Sequence, residues 1–418
     1  MRYLILGASA AGLSAARAIR EADASGEITV VSKEKEIYSR PMLHHVISGS
    51  RTPEGIGFVE GGFFHGLDVE WLSGREAVGL NTESMAVTLS DGLECRYDRL
   101  LIATGASPVM PPVENLARGR QVFSLRTLED ARVIVRLSEK VSGAVVIGAG
   151  LVGMDAACAL SARGIEVSVV EIAPNILPLQ LDRGAAGRYE KLCLENNINL
   201  LLNDSVLSVD LDSRGNVWGV RLKSGRLLPC GMVIVAAGVR PNTDFLRGTP
   251  VEVGRGIKVD EFQQTSAGWV YAAGDVCESM EAFTGMVGLT PVWPSAVRQG
   301  EVAGRNMAGI PSRMEKNFAC MNSMNFFGIP TVSFGHVTPP DRSFREIVRR
   351  DSDTYRKVIL RDGRIRGAIL QGDISNAGLY GALVRDGVDI SPFGDRVLDL
   401  TFADFFGQRE DGEFCLMR

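Results

Sequence analysis

Two short glycine turns constrain this chain more than anything else in it: Gly7-Ala8-Ser9-Ala10-Ala11-Gly12 and Gly148-Ala149-Gly150-Leu151-Val152-Gly153. Each follows an apolar run of strand character, Tyr3-Leu4-Ile5-Leu6 and Ala144-Val145-Val146-Ile147, and each opens an alanine-rich stretch of helix character. A turn short of side chains lets backbone N–H groups approach a pyrophosphate, and the helix that starts there points its positive dipole end at the same anion. One such pattern is weak evidence. Two of them, about 140 residues apart and each set between a strand and a helix, predict two bound dinucleotides and an α/β fold with two Rossmann-like units.

The remaining segments predict how these units share the chain. Residues 1–112 alternate strand and helix signals, with Ile28-Thr29-Val30-Val31 after the first helix and Arg99-Leu100-Leu101-Ile102 running into Ala103-Thr104-Gly105. Pro108, Pro111 and Pro112 mark a crossing into a second unit over 113–244, which closes on Val233-Ile234-Val235-Ala236-Ala237-Gly238. Residues 245–310 are expected to return to the first unit. From 311 to 418 the pattern changes to short strands and turns, read as a C-terminal α+β interface domain.

Composition excludes several alternatives. No run of 18 apolar residues occurs, so no membrane span is expected, and the first strand begins so close to Met1 that no signal peptide is expected and the cytoplasm is the predicted compartment. The seven cysteines are scattered singly without a C-x-x-C, which fits a reducing compartment and argues against a metal or an iron–sulfur cluster held by this chain. A net charge of −5 makes nucleic acid an unexpected partner.

In the second unit Gly148, Gly150, Leu151, Val152, Gly153 and Gly238 are the nucleotide-binding candidates, joined by Glu171 at the end of the next strand, where a carboxylate can hold an adenosine ribose diol. Glu171 would repel a 2′-phosphate, and Ile172 and Ala173 supply no arginine to receive one, so NADH is expected over NADPH. The first unit is less regular. Alongside Gly7, Ala10, Ala11 and Gly12, Ser9 stands for the middle glycine, where its hydroxyl can still face a pyrophosphate; Ser32 ends the second strand, and Glu34 is the candidate ribose ligand.

Three further segments carry a resemblance: Tyr97-Asp98-Arg99-Leu100-Leu101-Ile102-Ala103-Thr104-Gly105-Ala106-Ser107-Pro108, Ala236-Ala237-Gly238-Val239-Arg240-Pro241-Asn242 and Tyr271-Ala272-Ala273-Gly274-Asp275. With the glycine turns, they make residues 1–310 resemble the two-dinucleotide flavoproteins of the pyridine nucleotide–disulfide oxidoreductase family. The resemblance implies FAD in the first unit and NAD(H) in the second. It places Asp275 at the flavin ribityl chain, and Trp293, Pro294 and Ala296 at the start of a helix under the isoalloxazine, where a helix end suits an anionic reduced flavin. It adds Arg40, Pro41, Ala77, Ala103, Thr104, Gly105 and Gly274 to the flavin site, and Arg126 near the FAD phosphates unless it serves an ordinary salt bridge. Asp155 replaces a glutamate that such proteins place close to the nicotinamide.

The subclass turns on a missing cysteine. Where disulfide reductases of this kind carry a redox-active cysteine, the stretch reads Ile37-Tyr38-Ser39-Arg40-Pro41-Met42-Leu43-His44-His45, and the Met42 thioether cannot relay electrons as a disulfide. Electrons must leave the flavin directly. The Arg-Pro-x-Leu pattern resembles rubredoxin reductases, oxygenase-coupled ferredoxin reductases and the flavin half of assimilatory nitrite reductase, and the chain also resembles flavin subunits of 2-oxoacid (phenylglyoxylate-type) and carbon monoxide dehydrogenase complexes. The expected function is hydride transfer from NADH to flavin N5 and single-electron release to an iron–sulfur carrier or partner redox subunit, by a homodimer or within a hetero-oligomeric complex. A cysteine-independent NADH oxidase or diaphorase, and a non-catalytic NADH-sensing subunit, are the alternatives. Of the adjacent histidines only one can face the ring; His45 is the candidate, with a helix-surface role as its alternative. Cys277 is read as packing. Between Arg342 and Arg366 nine basic residues face four acidic ones, which suits either steering of an acidic carrier or protection of a sheet edge. Met321, Met324, Phe326 and Phe327 around Cys320 read as core or subunit interface, and the Phe402–Phe406 tail as an anchor in another chain.

Overall fold

The computed structural model describes residues 1–280, 287–314, 321–408 and 414–416; Cys320 lies outside them. Its frame is three five-stranded sheets. The first runs Val270–Ala272, Arg99–Ile102, Arg2–Leu6, Glu27–Ser32 and Val69–Ser73, every pair parallel. The second, Ile198–Leu202, Glu166–Glu171, Gly143–Ile147, Met232–Val235 and Val122–Ser124, is also all parallel. Parallel strands covered on both faces read as unbroken apolar runs, and Tyr3 to Leu6 and Ala144 to Val146 are accordingly buried along their whole length. In both sheets the strand order reverses beside the strand that feeds a glycine turn, which opens a crevice at its carboxyl end.

The helix Ala10–Ala22 after the first turn buries a face of small residues against the helix Trp293–Met307. Contact is backbone-close: a Cβ added to Gly300 would stand 2.1 Å from the Ala11 carbonyl oxygen, and one on Gly304 2.6 Å from that of Ala15. Residues near 300 thereby fix the helix that starts at residue 10.

The chain passes between the two parallel sheets twice, and the crossings lie side by side. Ala106–Pro108 pairs antiparallel with Val239–Pro241. Asn242 clamps them, donating to the Thr104 carbonyl at 2.9 Å and accepting from Ser107 Oγ at 2.7 Å, while Thr104 Oγ1 returns a bond to the Asn242 carbonyl.

The third sheet, Met321–Phe326, Ile329–Gly335, Arg364–Gln371, Tyr355–Arg361 and Arg345–Arg350, is antiparallel and carries the helix Ala377–Arg385. It seats on the second parallel unit. Met324 and Phe326 are buried in that unit's core, and Tyr189 donates to the Ile329 carbonyl. Lys357 is buried between Asp182 and Glu346 with both contacts at 2.8 Å, and Tyr355 donates to the same Asp182 carboxylate at 2.6 Å. Burial alone would raise the Asp182 carboxyl, but hydrogen bonds from Lys357 and Tyr355 hold it below its usual range. Lys357→Ala strips a buried carboxylate of its cation, so a loss of about 3–5 kcal/mol in denaturant unfolding is expected. A loss below about 1 kcal/mol, the value of an exposed pair, would show that this contact does not anchor the domain.

The basic stretch spans the outer strand Arg345–Arg350, its neighbour Tyr355–Arg361 and the start of Arg364–Gln371, and several of its charges are matched: Arg345 pairs with Asp395, Arg349 with Asp399 and Arg356 with Asp373. In the tail, Phe405 is buried in this domain's own core against Phe393, while Phe402 and Phe406 are exposed.

Candidate dinucleotide sites and the seam between them

Gly7 and Gly148 sit at φ +124° and +102°, and added Cβ atoms would lie 2.1 Å from the Ala103 carbonyl oxygen and 2.5 Å from that of Ala236. Gly12 and Gly153 close the turns still more tightly, with hypothetical Cβ atoms 1.8 and 1.9 Å from the carbonyl oxygens of Gly7 and Gly148. Gly150 faces open space instead, which leaves room for a pyrophosphate against the backbone. Ser9 and Gly150 are the N-cap residues of Ala10–Ala22 and Leu151–Ser161, and neither helix start takes a side-chain cap, so the N–H groups of Ala10, Ala11, Leu151 and Val152 are left for a ligand. Both turns fit a dinucleotide diphosphate.

Glu171 ends its strand with the carboxylate 2.7 Å from Ala149 N and 2.9 Å from Ala173 N, both donating. The acid is thus fixed against the second turn, with lone pairs left for a ribose diol. Gly238, at φ +104°, has nothing over its Cβ position and lies beside the second crossing.

The flavin candidates form one chain of contacts. Ser32 Oγ donates to the Glu34 carbonyl at 2.6 Å and accepts from Trp71 Nε1 at 2.9 Å. Glu34 arrives already engaged, its carboxylate bound by Arg40 at 2.6 Å and by the Tyr38 hydroxyl. Arg40 continues to the Arg126 carbonyl at 2.8 Å, and the Arg126 guanidinium pairs with Asp275 at 2.9 Å. Gly105 lies under Arg126, and Gly274 lies against Ala11 and Ala296. Ala103 and Thr104 border the first turn and the crossing, Pro41 is exposed, Ala77 begins a half-buried strand, and Trp293 meets Phe58 edge-on beside Pro294.

Two residues stand in this region that the sequence reading did not select. Gln299, 1% exposed, accepts from Gly274 N at 2.7 Å and so fixes the Gly274–Asp275 turn; its signal was an amide on the small-residue face of a helix. His44 is the other. Its Nδ1 stands 3.7 Å from Asp155 Oδ2, bridging the helix Leu43–Ser48 of the first unit and Leu151–Ser161 of the second. His45 turns instead to Ser50 Oγ at 2.9 Å. Burial pushes the Asp155 carboxyl up to about 7, and burial, with His45 alongside, pushes the His44 imidazole down to about 4. Cys277 is buried against the Gly274 carbonyl and its thiol is pushed up to about 12 by burial, as expected of a packing residue. Cys95, Cys158, Cys193, Cys230 and Cys277 are free; among the described residues no cluster of His, Cys, Asp and Glu could hold a metal, and no helix is long and apolar enough to cross a membrane.

Two parallel nucleotide units meeting at a seam, with an antiparallel third domain beside them, define a flavoprotein reductase with two dinucleotide sites. The chain belongs to the pyridine nucleotide-disulphide oxidoreductase family, which it matches over residues 1–300, and residues 321–388 match the rubredoxin NAD+ reductase C-terminal domain. It is 34% identical to the NADH-dependent phenylglyoxylate dehydrogenase subunit epsilon of Aromatoleum evansii, over 94% of each chain. It is 34% identical to an NADH oxidase of Methanocaldococcus jannaschii over 75% of this chain and 71% of the relative. The crystal structure of NADH:rubredoxin oxidoreductase from Clostridium acetobutylicum superimposes with a TM-score of 0.76 at 26% identity, over 93% of this chain and 96% of that one.

Proposed function

We propose that this chain is an FAD-dependent NADH oxidoreductase that passes electrons to an iron–sulfur protein, and that it works in the cytoplasm. The observation that carries the reading is the pairing of two uncapped glycine turns across a seam where Met42, and not a cysteine, follows Pro41. FAD, when bound, converts the two-electron hydride chemistry of NADH into release of single electrons. The chain's own residues bind and orient. The first turn holds a diphosphate on the N–H groups of Ala10 and Ala11, while Gln299 and Arg126 fix the Gly274–Asp275 turn beside it. The second turn and Glu171 hold NADH so that its nicotinamide end points to the seam. Similarity over nearly the whole chain to a subunit of a phenylglyoxylate dehydrogenase supports a partner redox subunit as the electron-exchanging protein, and the C-terminal domain match supports rubredoxin or a similar carrier.

Anaerobic stopped-flow spectroscopy tests this. NADH is expected to bleach the bound flavin and one iron–sulfur carrier to restore its colour. Fast reoxidation by oxygen with no gain from any carrier would favour an oxidase, as the similarity to an NADH oxidase would then suggest. Failure of NADH to bleach the flavin would leave only a non-catalytic subunit.

A further inference from the structure

In the second unit the turn lies at the amino end of the helix Leu151–Ser161, and Glu171 marks the adenosine side of it. A dinucleotide held at both points sends its nicotinamide end the other way, to the place where that helix packs on Leu43–Ser48 of the flavin unit. His44 Nδ1 and Asp155 Oδ2 face each other across this seam at 3.7 Å, with 26% and 30% of their side chains open to solvent. The step that follows rests on the NAD(H) reading above.

The nicotinamide ring of NAD+ is a cation and that of NADH is neutral, so a carboxyl group at this place distinguishes the two by charge. We propose that Asp155, with His44 facing it across the seam, carries a proton that binding of NAD+ expels to solvent and binding of NADH leaves in place. No bond to the coenzyme forms and no electron moves: the cation takes the place of the proton as the carboxylate's counter-charge. Solvent access to both side chains gives the proton an exit.

The electrostatics of the seam agree. Two side chains with most of their surface buried resist charge in opposite directions, the acid keeping its proton and the imidazole refusing one, so the pair carries a single proton on the acid side of neutrality and none well above it. Among the described residues, the other ionisable groups around the pair have partners elsewhere. On and after Leu43–Ser48, His45 bonds Ser50 and Arg51 the Gly55 carbonyl. Before it, Arg40 is held by Glu34. On the packed helix Leu128–Ser138, Arg132 pairs with Glu36 and Arg136 with Glu129. Past Ser161, Arg163 donates to the Ile47 carbonyl with Glu139 nearby. One turn beyond Asp155, the Cys158 thiol is held neutral by burial; beneath, Glu171 is bound by two backbone N–H groups, and the packed strand Met321–Phe326 has no ionisable side chain.

Titration calorimetry of NAD+ into the oxidised, flavin-loaded protein, in buffers of different ionisation heat, reads the proton directly. Near pH 6.5 the wild type is expected to release up to about one proton per NAD+ bound and near pH 8.5 almost none, with affinity rising by up to about tenfold per pH unit below the midpoint. Asp155→Asn is expected to abolish the release and flatten the pH dependence, and His44→Gln to move the midpoint while keeping the release. Buffer-independent binding of NAD+ at both pH values, or release that persists in Asp155→Asn, would overturn the proposal while leaving the NAD(H) reading intact. No NAD+ binding at all would instead overturn the NAD(H) reading, and the proposal with it. Flavin absorbance reports that each variant is folded and loaded; should Asp155→Asn fail to load, the wild-type and His44→Gln series decide.

Discussion

Gly12→Ala is expected to yield protein purified without flavin, whereas Gly153→Ala is expected to keep its flavin and to need roughly a hundredfold more NADH to bleach it, a loss of about 2.8 kcal/mol. The two substitutions add the same methyl group to two equivalent places. In the first turn it would stand 1.8 Å from the Gly7 carbonyl oxygen and in the second 1.9 Å from that of Gly148, distances no real Cβ contact shows. Both neighbours are backbone, so neither can rotate away. The turn must open, and opening it carries the helix-terminal N–H groups off the diphosphate they serve. The flavin-to-protein absorbance ratio and an anaerobic NADH titration check the pair. Full flavin content in Gly12→Ala, or unchanged NADH dependence in Gly153→Ala, would mean that the turn concerned is not the anion cradle.

Glu171→Ala is expected to lower kcat/KM for NADH by about 10- to 100-fold, the scale of hydrogen bonds lost from a charged group. Adding Ile172→Arg is expected to reverse the preference in favour of NADPH. Ile172 follows Glu171 directly and is 77% exposed, so a guanidinium there can reach a 2′-phosphate without disturbing the core. Glu171 also braces the turn through Ala149 N, and losing that brace weakens both coenzymes together. The ratio of NADPH to NADH efficiency therefore tests the ribose assignment, and an unchanged ratio in the double variant would remove it.

The features that were legible in the chain are those where local chemistry admits few residue types. Gly7, Gly12, Gly148 and Gly153 are such places, because a Cβ at each would strike a carbonyl oxygen of the turn or of the neighbouring strand. What stayed hidden depends on direction or on distant partners. Neighbouring residues on a helix point about 100° apart, so the choice of His45 over His44 had no support from direction, and with the helix Leu43–Ser48 seated on its neighbours it is His44 that meets Asp155. Glu34 stands where a ribose ligand is expected, and no local pattern signalled that Arg40 and Tyr38 would brace its carboxylate. Arg126 makes the salt bridge considered for it, with Asp275, 149 residues away. Lys357 and Asp182 are 175 positions apart and share no local pattern, yet they join the third domain to the second. The arginines from 342 onward suggested a field for steering a carrier, and their pairing with Asp373, Asp395 and Asp399 spends much of that field within the chain.

The paired crossings, Ala106–Pro108 beside Val239–Pro241, bear on how such a protein can be rebuilt. Entry to and exit from the coenzyme half are adjacent rungs of one ribbon, so everything between them is topologically an insert, with its own sheet and its own core. A different nucleotide unit with ends equally close could be spliced there without recutting the flavin half's central strands. Recombination at a single locus would thus exchange the electron donor, while the covering third domain must coevolve with whatever replaces Asp182 and Tyr189.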